Sequence, residues 1–303
     1  MLPALVVVAV CAAACIAYGI AIERRWYRLR TYDLAILPPD GPDRLDVLHL
    51  SDLHVVRGDA AKRRFLASLP QADVTIVTGD LLAEPEAVET AVEAIRATRG
   101  RLASWFVLGS NDYFVPKPLN YFSYFRRHRK RRGARGGRAR DLIAQLSADG
   151  WVDLTNSRRE TTIDGWGVEL LGLDDAHIHW HDLRVAPRRT DRFSIAVMHS
   201  PDSAAETAAL GYDLLFAGHT HGGQVCLPVV GALVTNCSMP RRLVGGLIRM
   251  GSATLHTSRG LGTSKYAPFR FCCRPEATIL RLRRRPPTQS GAGAGATLTG
   301  PGT

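Results

Sequence analysis

The stretch Leu48-His49-Leu50-Ser51-Asp52-Leu53-His54-Val55 (LHLSDLHV) places an aspartate and a histidine two residues apart at the end of an apolar run. That run, DVLHL, is typical of a buried strand. A carboxylate buried beside an imidazole is costly unless another group compensates for it. The pair is therefore either exposed and incidental or arranged to hold a cation.

Four further apolar runs end in the same way, in TIVTGD, FVLGSND, IAVMHS and LLFAGHTH. The polar side chains at their ends are Asp80, Asn111, Asp112, His199, His219 and His221. The alternation of strands and helices predicts an α/β fold with parallel strands, whose carboxyl ends line one edge where ligands usually bind. Because side chains two residues apart on a strand point the same way, the pairs in DLH and HTH are each expected to face this edge.

In this order the motifs resemble those of the calcineurin-like metallophosphoesterases, which carry D-x-H, G-D, G-N-H-[DE], a lone His and G-H-x-H. The resemblance covers about residues 45 to 280, and SRGLG and RPEATILRL resemble the closing strands of the membrane-anchored bacterial branch. It implies an α/β sandwich of two mixed β-sheets flanked by helices. The implied activity is hydrolysis of a phosphate ester or diphosphate by a hydroxide that bridges two metal ions.

Carried over by position, the resemblance implies two groups of metal ligands that share one aspartate. The first group is Asp52, His54, Asp80 and His221, and the second is Asp80, Asn111, His199 and His219. Imidazole, carboxylate and amide ligands without a thiolate suit Mn, Fe or Zn better than Ca. The residues expected to take part in catalysis are Asp80, Asn111, Asp112 and His219. No organic cofactor is expected.

The motif GSND (Gly109 to Asp112) departs from the family pattern because it lacks the histidine that helps to protonate the leaving group. Asn111 is favoured over Ser110 as the ligand, since an amide oxygen is the better donor to a divalent ion. Asp112 then either assists proton transfer or orients the loop. The missing histidine leads us to expect a leaving group that needs little protonation, such as phosphate released from a diphosphate.

The N-terminal segment Leu2–Ile22 carries no charged side chain, and as a helix it spans roughly 31 Å, the thickness of a bilayer core. Four arginines follow within ERRWYRLR, which by the positive-inside tendency places the rest of the chain in the cytoplasm. An uncleaved single-pass membrane anchor is favoured over an export signal. The expected division is an anchor over 1–22, a juxtamembrane linker over 23–44, a catalytic domain over 45–285 and a disordered tail over 286–303.

The formal charge of +11 is concentrated in two short segments. Without the nine Lys and Arg of residues 126–140, which we expect to form a mobile loop, it falls to +2, and without ERRWYRLR as well it is −1. A nearly neutral body argues against duplex nucleic acid as a partner. The favoured partners are a phosphorylated small-molecule or lipid-linked substrate and a membrane, contacted by the N-terminal helix and by the arginine-rich loop.

The segment LDDAHIHWHD (173–182) carries His177, His179 and His181 in alternation. A surface loop near the rim is the favoured interpretation, while substrate contact and an additional metal site stay open. Two competing functions also stay open. One is a nuclease or cyclic-nucleotide phosphodiesterase, and the other is a non-catalytic metal-binding membrane protein whose GSND motif has lost the acid.

Overall fold

The computed structural model describes residues 2–116 and 134–286. Two six-stranded mixed β-sheets pack face to face with helices on their outer surfaces, which confirms the predicted fold. The helices in the described residues are α1 (Leu2–Ala21), α2 (Ala60–Ala67), α3 (Val88–Arg96), α4 (Ser110–Tyr113), α5 (Ala139–Ala148) and α6 (Ala204–Ala209).

Within residues 2–116 and 134–286 the strands form two large and two small sheets. In chain order they are β1 (Arg28–Leu37), β2 (Arg44–Leu50), β3 (Val74–Thr78), β4 (Ala103–Val107), β5 (Phe114–Val115), β6 (Ala134–Arg135), β7 (Val152–Asp153), β8 (Ser157–Ile163), β9 (Trp166–Leu173), β10 (Ser194–Met198), β11 (Leu214–Ala217), β12 (Cys226–Leu227), β13 (Gly231–Ala232), β14 (Gly246–Met250), β15 (Ala253–Thr257) and β16 (Glu276–Arg284). β5 pairs with β6 and β12 pairs with β13, each antiparallel.

The strand order is β1-β16-β2-β3-β4-β7 in the first sheet and β14-β15-β11-β10-β9-β8 in the second. β2, β3, β4 and β7 run parallel to one another, and so do β9, β10, β11 and β15. Within each sheet the carboxyl ends of the central strands therefore meet at one edge, from which the loops of the candidate site emerge.

The central strands are apolar because both of their faces are buried. VTIVT in β3 and SIAVM in β10 are buried at every position, as expected for parallel strands covered on both sides. One core lies between the sheets, where Val47 and Ile76 share a cluster with Leu170 and Phe216. Two further cores lie under the helices on the outer faces, so the sheets form a rigid base for the loops at their edge.

Residues 23–44 are not the expected linker. One turn of 3-10 helix, Glu23–Arg25, leads from α1 toward β1, which pairs in parallel with β16 from Arg28 to Leu37. The segment therefore belongs to the first sheet. The predicted arginine-rich loop and tail fall mainly on residues 117–133 and 287–303, outside the described residues, and the loop's last residues contain β6 and the start of α5.

Helix α1 is long and apolar enough to cross a membrane, and little of it is buried in the protein. An anchor and an export signal both have this length and composition. Its last turn contacts the segment before β16: the carbonyl oxygen of Gly19 accepts the N–H of Arg270, and the ring of Tyr18 lies edge-on to that of Phe271. Immediately after the helix, the buried carboxylate of Glu23 accepts further backbone N–H groups from this segment.

Candidate metal centre

The predicted site residues come together at the edge where the parallel strands end. In the first sheet they follow β2 (Asp52 and His54), β3 (Asp80) and β4 (Asn111 and Asp112). In the second sheet they follow β10 (His199) and β11 (His219 and His221). Three overlapping groups have ligand-type atoms within 4.8 Å of one another: Asp52 with His54 and His221, Asp175 with His199 and His219, and Asp52 with Asp80 and His199. Side chains far apart in sequence therefore share one buried site.

The backbone of this site is strained. Five of its residues have left-handed φ angles between 42° and 67°, namely Asp52, His54, Asp80, His219 and His221. Such angles are uncommon for non-glycine residues and cluster at functional sites. Two motif positions require glycine because the aspartate side chains lie very close to their backbone. A Cβ on Gly109 would overlap Oδ1 of Asp80, and one on Gly218 would lie 2.6 Å from Oδ2 of Asp52.

Asp52, His54 and His221 form the first histidine–carboxylate group. The Nε2 atoms of His54 and His221 are 3.3 Å apart, and Nε2 of His221 is 3.5 Å from Oδ1 of Asp52. Burial lowers the pKa of His54 to about 4 and that of His221 well below its ordinary value. Both rings are therefore neutral near pH 7 and offer lone pairs to a cation.

Asp175, His199 and His219 form the second histidine–carboxylate group. Nε2 of His199 lies 3.2 Å from Nδ1 of His219 and 4.0 Å from Oδ2 of Asp175. Because Nδ1 of His199 donates to the carbonyl oxygen of Thr78 at 2.7 Å, Nε2 is the atom that can bind a cation. Burial alone would lower the pKa of His199, but the surrounding carboxylates, chiefly that of Asp80, raise it to about 10.

Asp80 lies between the two groups. Its Oδ2 is 3.6 Å from Nε2 of both His54 and His199. Its Oδ1 accepts the backbone N–H of Asn111 at 2.8 Å, and the side-chain amide nitrogen of Asn111 contacts Oδ2. Burial opposes ionisation, but the two histidines and this N–H hold the pKa of Asp80 below its usual range. The ionised carboxylate is thus shared by both groups, with the Asn111 amide beside it.

Asp112 is fully buried, and both of its carboxylate oxygens accept backbone hydrogen bonds. The donors are the N–H groups of Leu82 and Gly109, each at 3.0 Å. Burial, together with the charge of Asp80, raises the pKa of Asp112 to about 7. Of the two predicted roles, this geometry favours orientation of the loop over proton transfer.

Asp175 is a ligand-type residue that the sequence analysis missed. Its Oδ2 accepts the N–H of Ser110 at 3.1 Å, and its Oδ1 accepts the N–H of His177 at 2.8 Å. The signal was present, since Asp175 lies two residues beyond the end of β9, as Asp52 does beyond β2 and Asp80 beyond β3. The carboxylate therefore links the start of α4 to the second group.

Of the three histidines in LDDAHIHWHD, His177 lies at the rim of the site. Its ring centroid is 4.4 Å from that of His219, and the side chain is half-buried. His179 is exposed and His181 is half-buried, and neither belongs to the two groups. The segment is thus a rim loop, as expected, with one imidazole placed against a predicted ligand.

A chain of buried hydrogen bonds supports Asp52 from beneath. Oγ of Ser51 donates to Oδ2 of Asp52 at 2.5 Å, and Oγ1 of Thr78 donates to Ser51 at 2.7 Å. Because Thr78 has given its proton to Ser51, Nε2 of His49 must donate to Thr78 at 2.9 Å. Nδ1 of His49 then accepts from Nδ1 of His256, on β15, at 2.7 Å. The chain crosses between the sheets and fixes the orientation of the carboxylate.

Arg270 is a second residue of the site that no motif in the sequence indicated. Its guanidinium is buried and donates to the carbonyl oxygens of Gly262 at 2.7 Å and Arg259 at 2.8 Å. It also lies 3.3 Å from Nδ1 of His221. Burial lowers the pKa of Arg270. The side chain holds together the loops around His221 without reaching the surface.

The donor set fits a pair of divalent cations. Oδ1 of Asp52 and Nδ1 of His54 are buried without a hydrogen-bond partner among the described residues, and an unpaired buried carboxylate oxygen is costly. Imidazole nitrogens and carboxylate oxygens converge from two sheets on Asp80. Such ligands without a thiolate are those of Mn, Fe or Zn sites.

Comparison with known proteins agrees with this chemistry. The calcineurin-like phosphoesterase family matches residues 45–223. The chain is 25% identical over 280 residues to the uncharacterized metallophosphoesterase YkuE of Bacillus subtilis, covering 88% of this chain and 90% of that protein. It is 40% identical over 88 residues to the phosphodiesterase YaeI of Escherichia coli, covering 29% and 32% of the two chains.

A transmembrane protein with metallophosphoesterase domain from Bos taurus is 28% identical over 268 residues, or 82% of this chain and 55% of the bovine protein. Among solved structures, the phosphopantetheinyl hydrolase PptH of Mycobacterium tuberculosis aligns with 86% of this chain and 100% of its own, with a TM-score of 0.41 and 13% identity. Since the family match spans more than half of the sequence, the chain belongs to the calcineurin-like phosphoesterases and is a metal-dependent phosphoesterase.

Proposed function

We propose that this member of the family is a two-metal phosphohydrolase that cleaves a phosphate ester or diphosphate in a substrate presented at a membrane surface. The observation that carries the proposal is the convergence of two histidine–carboxylate groups on Asp80. When bound there, two divalent cations would activate water as the nucleophile and offset the charge of the phosphate.

The two cations would have separate ligands and share Asp80. One would be held by Asp52, His54, Asp80 and His221, and the other by Asp80, Asn111, His199 and His219, with Asp175 as an additional carboxylate. Asn111 is preferred to Ser110 because its amide lies against Asp80. Turning that amide over presents its oxygen in place of its nitrogen, an exchange that leaves the side chain where it is.

In place of the expectation that the leaving group needs little protonation, we propose that His177, rather than Asp112, protonates it. Both carboxylate oxygens of Asp112 accept hydrogen bonds from backbone N–H groups, and the side chain is fully buried, away from the rim of the site. The half-buried ring of His177 lies beside His219, and its backbone is fixed by Asp175. In the step itself, the oxygen of a water that has lost one proton to solvent forms the new bond to phosphorus while the bond to the leaving oxygen breaks, and the His177 proton passes to that leaving oxygen.

A membrane-borne substrate is favoured by the attachment of α1 to the body. The exposed apolar helix ends against the segment that carries Arg270, and Arg270 in turn lies 3.3 Å from the ring of His221. Arginines follow the helix directly, as is usual on the cytoplasmic side of a membrane. We therefore assign the catalytic body to the cytoplasmic face, held by a single span.

The test is an assay of the full chain in lipid nanodiscs against p-nitrophenyl phosphate, bis-p-nitrophenyl phosphate and a lipid-linked diphosphate. The chain is first stripped with EDTA and then supplied with Mn²⁺, Zn²⁺ or Fe²⁺. We expect metal-dependent hydrolysis of at least one substrate and about two ions per chain.

Asp80→Asn is the matched control, since it keeps the size of the side chain but removes the shared charge. We expect its rate to fall by on the order of a thousandfold, because both ions lose a ligand. Two bound ions without hydrolysis of any substrate would select the non-catalytic alternative. DNA and a cyclic nucleotide are assayed under the same conditions, and cleavage confined to either of them would select the nuclease or cyclic phosphodiesterase.

A further inference from the structure

The hairpin formed by β12 and β13, residues 226–233, presents an apolar tip to the surroundings. Val229 is fully exposed and Val230 is 66% exposed, which makes them the most exposed large hydrophobic residues outside α1 in the described part of the chain. Leu227 and Leu233 beside them are also exposed. An exposed apolar cluster of this kind marks a surface for a protein or membrane partner.

The tip is also strained. Val229 has a φ angle of 68°, and for a β-branched residue a left-handed conformation is a true outlier. No packing explains this strain, because the side chain is fully exposed. Strain that the fold does not use points to a function at the site where it occurs.

The hairpin is tied to the segment that receives the apolar helix. The N–H of Cys226 donates to the carbonyl oxygen of Phe271 at 2.8 Å, and the N–H of Phe271 donates to that of Gln224 at 3.1 Å. The ring of Phe271 also contacts Tyr18 of α1. The helix and the hairpin therefore flank the same residue, Phe271.

The same segment fixes the helix in place. The carboxylate of Glu23, just after α1, accepts the N–H groups of Cys272 at 2.9 Å and Cys273 at 2.5 Å. A Cβ on Gly19 would overlap the ring of Phe269, so helix and segment are in close contact there. The position of the hairpin relative to the helix is thus set by the fold.

Basic residues border the apolar tip. The guanidinium of Arg241 donates to the carbonyl oxygen of Leu233 at 2.9 Å, and both Arg241 and Arg242 are exposed. An apolar tip with arginines at its base is suited to the boundary between acyl chains and anionic headgroups. The charge favours a lipid bilayer over a second copy of this hairpin, which would bring like charges together.

We propose that this hairpin is a second membrane contact, in which Val229 and Val230 enter the bilayer while Arg241 and Arg242 face anionic headgroups. The hairpin begins three residues after Gly223, the end of the turn that carries His221. Insertion of its tip therefore places the rim of the metal site at the level of the headgroups. The proposal depends on the surface alone and holds whether or not the site hydrolyses phosphate.

The experiment measures the depth of the tip in the full chain reconstituted into phosphatidylcholine vesicles with brominated acyl chains. Val229→Trp is compared with Leu210→Trp, each after subtraction of the fluorescence of the parent chain. Leu210 is a matched control because it is exposed and lies before the amino end of β11, whereas the hairpin follows its carboxyl end. We expect bromine to quench the indole introduced at position 229 severalfold more strongly than the one introduced at position 210.

A second arm replaces a fraction of the lipid by phosphatidylglycerol. Quenching in the Val229→Trp chain should increase, and it should increase less when Arg241→Glu and Arg242→Glu are added. Equal quenching at the two positions in both lipids overturns the proposal. The proposal is also overturned if the indole at position 229 is buried by a second chain instead of by lipid. In that case the blue shift of its fluorescence would disappear when the protein is diluted to one chain per vesicle.

Discussion

The two histidine–carboxylate groups differ in the charge around their histidines. In the first, His54 and His221 face each other, and burial keeps both of them neutral. In the second, His199 faces Asp80 and Asp175, whose charges raise its pKa to about 10 although burial acts in the opposite direction. The first group thus offers free imidazole lone pairs to a cation, whereas the second group, built from the same residue types, holds a proton on His199.

The two groups are therefore expected to load their cations by different chemistry. A cation entering the first group meets neutral imidazoles and displaces no proton once Asp52, whose pKa burial raises to about 6, is ionised. A cation entering the second must displace the proton of His199. The first group should consequently fill at lower pH than the second.

Among the variants that distinguish the two groups, the largest effect is expected from removing one imidazole from each group in turn. His54→Ala should leave the second ion in place and His199→Ala the first, so that each variant binds about one ion per chain. Activity should fall more than about a hundredfold in both variants. This exceeds the loss of up to about a hundredfold that follows mutation of a residue which only hydrogen-bonds to a metal ligand. Metal analysis of the dialysed variants checks this, and loss of both ions from either variant would show that the groups are not separate.

His177→Gln tests whether the second group borders the leaving group. The rate should fall by about a hundredfold for basic leaving groups, because a general acid contributes at least that much. It should change little for nitrophenol, which needs no proton. Rates over a series of aryl and alkyl esters check this, with His179→Gln as control because His179 is exposed. A loss that is the same for every ester means that His177 only positions His219.

The contrast in protonation predicts opposite pH behaviour for the two ions. Affinity for the second ion should rise about tenfold per pH unit between pH 6 and pH 8, since its site is protonated below the raised pKa of His199. Affinity for the first should be nearly constant above about pH 7, because His54 is already neutral and Asp52, whose pKa burial raises to about 6, is ionised there. Calorimetric titration above pH 7 in two buffers checks this, with about one proton released by the second ion and almost none by the first.

The smallest effect is expected from Asp175→Asn, which keeps the shape of the side chain but removes its charge. Affinity for the second ion should fall about tenfold, the lower end of the range for supporting residues. Asp174→Asn is the matched control, since Asp174 bonds to Tyr113 and to the N–H of Asp175 instead of facing His199. Equal losses in both variants would mean that the loop, and not the carboxylate, matters.

Most of the site could be predicted from the sequence because chain direction and strand periodicity determine where strand ends lie. Asp52, Asp80 and His219 each follow a central parallel strand by two residues, and such ends must meet. Asp175 obeys the same rule. It was missed because the histidines that follow it favour the interpretation of a surface loop.

Other features depend on contacts that no local pattern reveals. β1 resembles a linker in the sequence because it is an edge strand with alternating exposed residues, and its partner β16 lies about 250 residues away in the sequence. Arg270 donates hydrogen bonds to backbone carbonyl groups, which every residue carries, so no side-chain pattern in the sequence indicates its partners. Long-range pairings of this kind require the structure.

The carboxylate of Glu23 has a consequence for how substrates reach the enzyme. One short turn joins α1 to β1, and the Glu23 carboxylate in that turn binds the backbone N–H groups of Cys272 and Cys273. The catalytic body is therefore fixed against the end of the helix and is not connected to it by a flexible linker. If α1 spans a membrane, as proposed, the opening of the metal site would stay at a constant height above the membrane and would meet molecules that diffuse within it. For such an enzyme, turnover would follow the surface density of substrate and would be indifferent to the volume of the compartment.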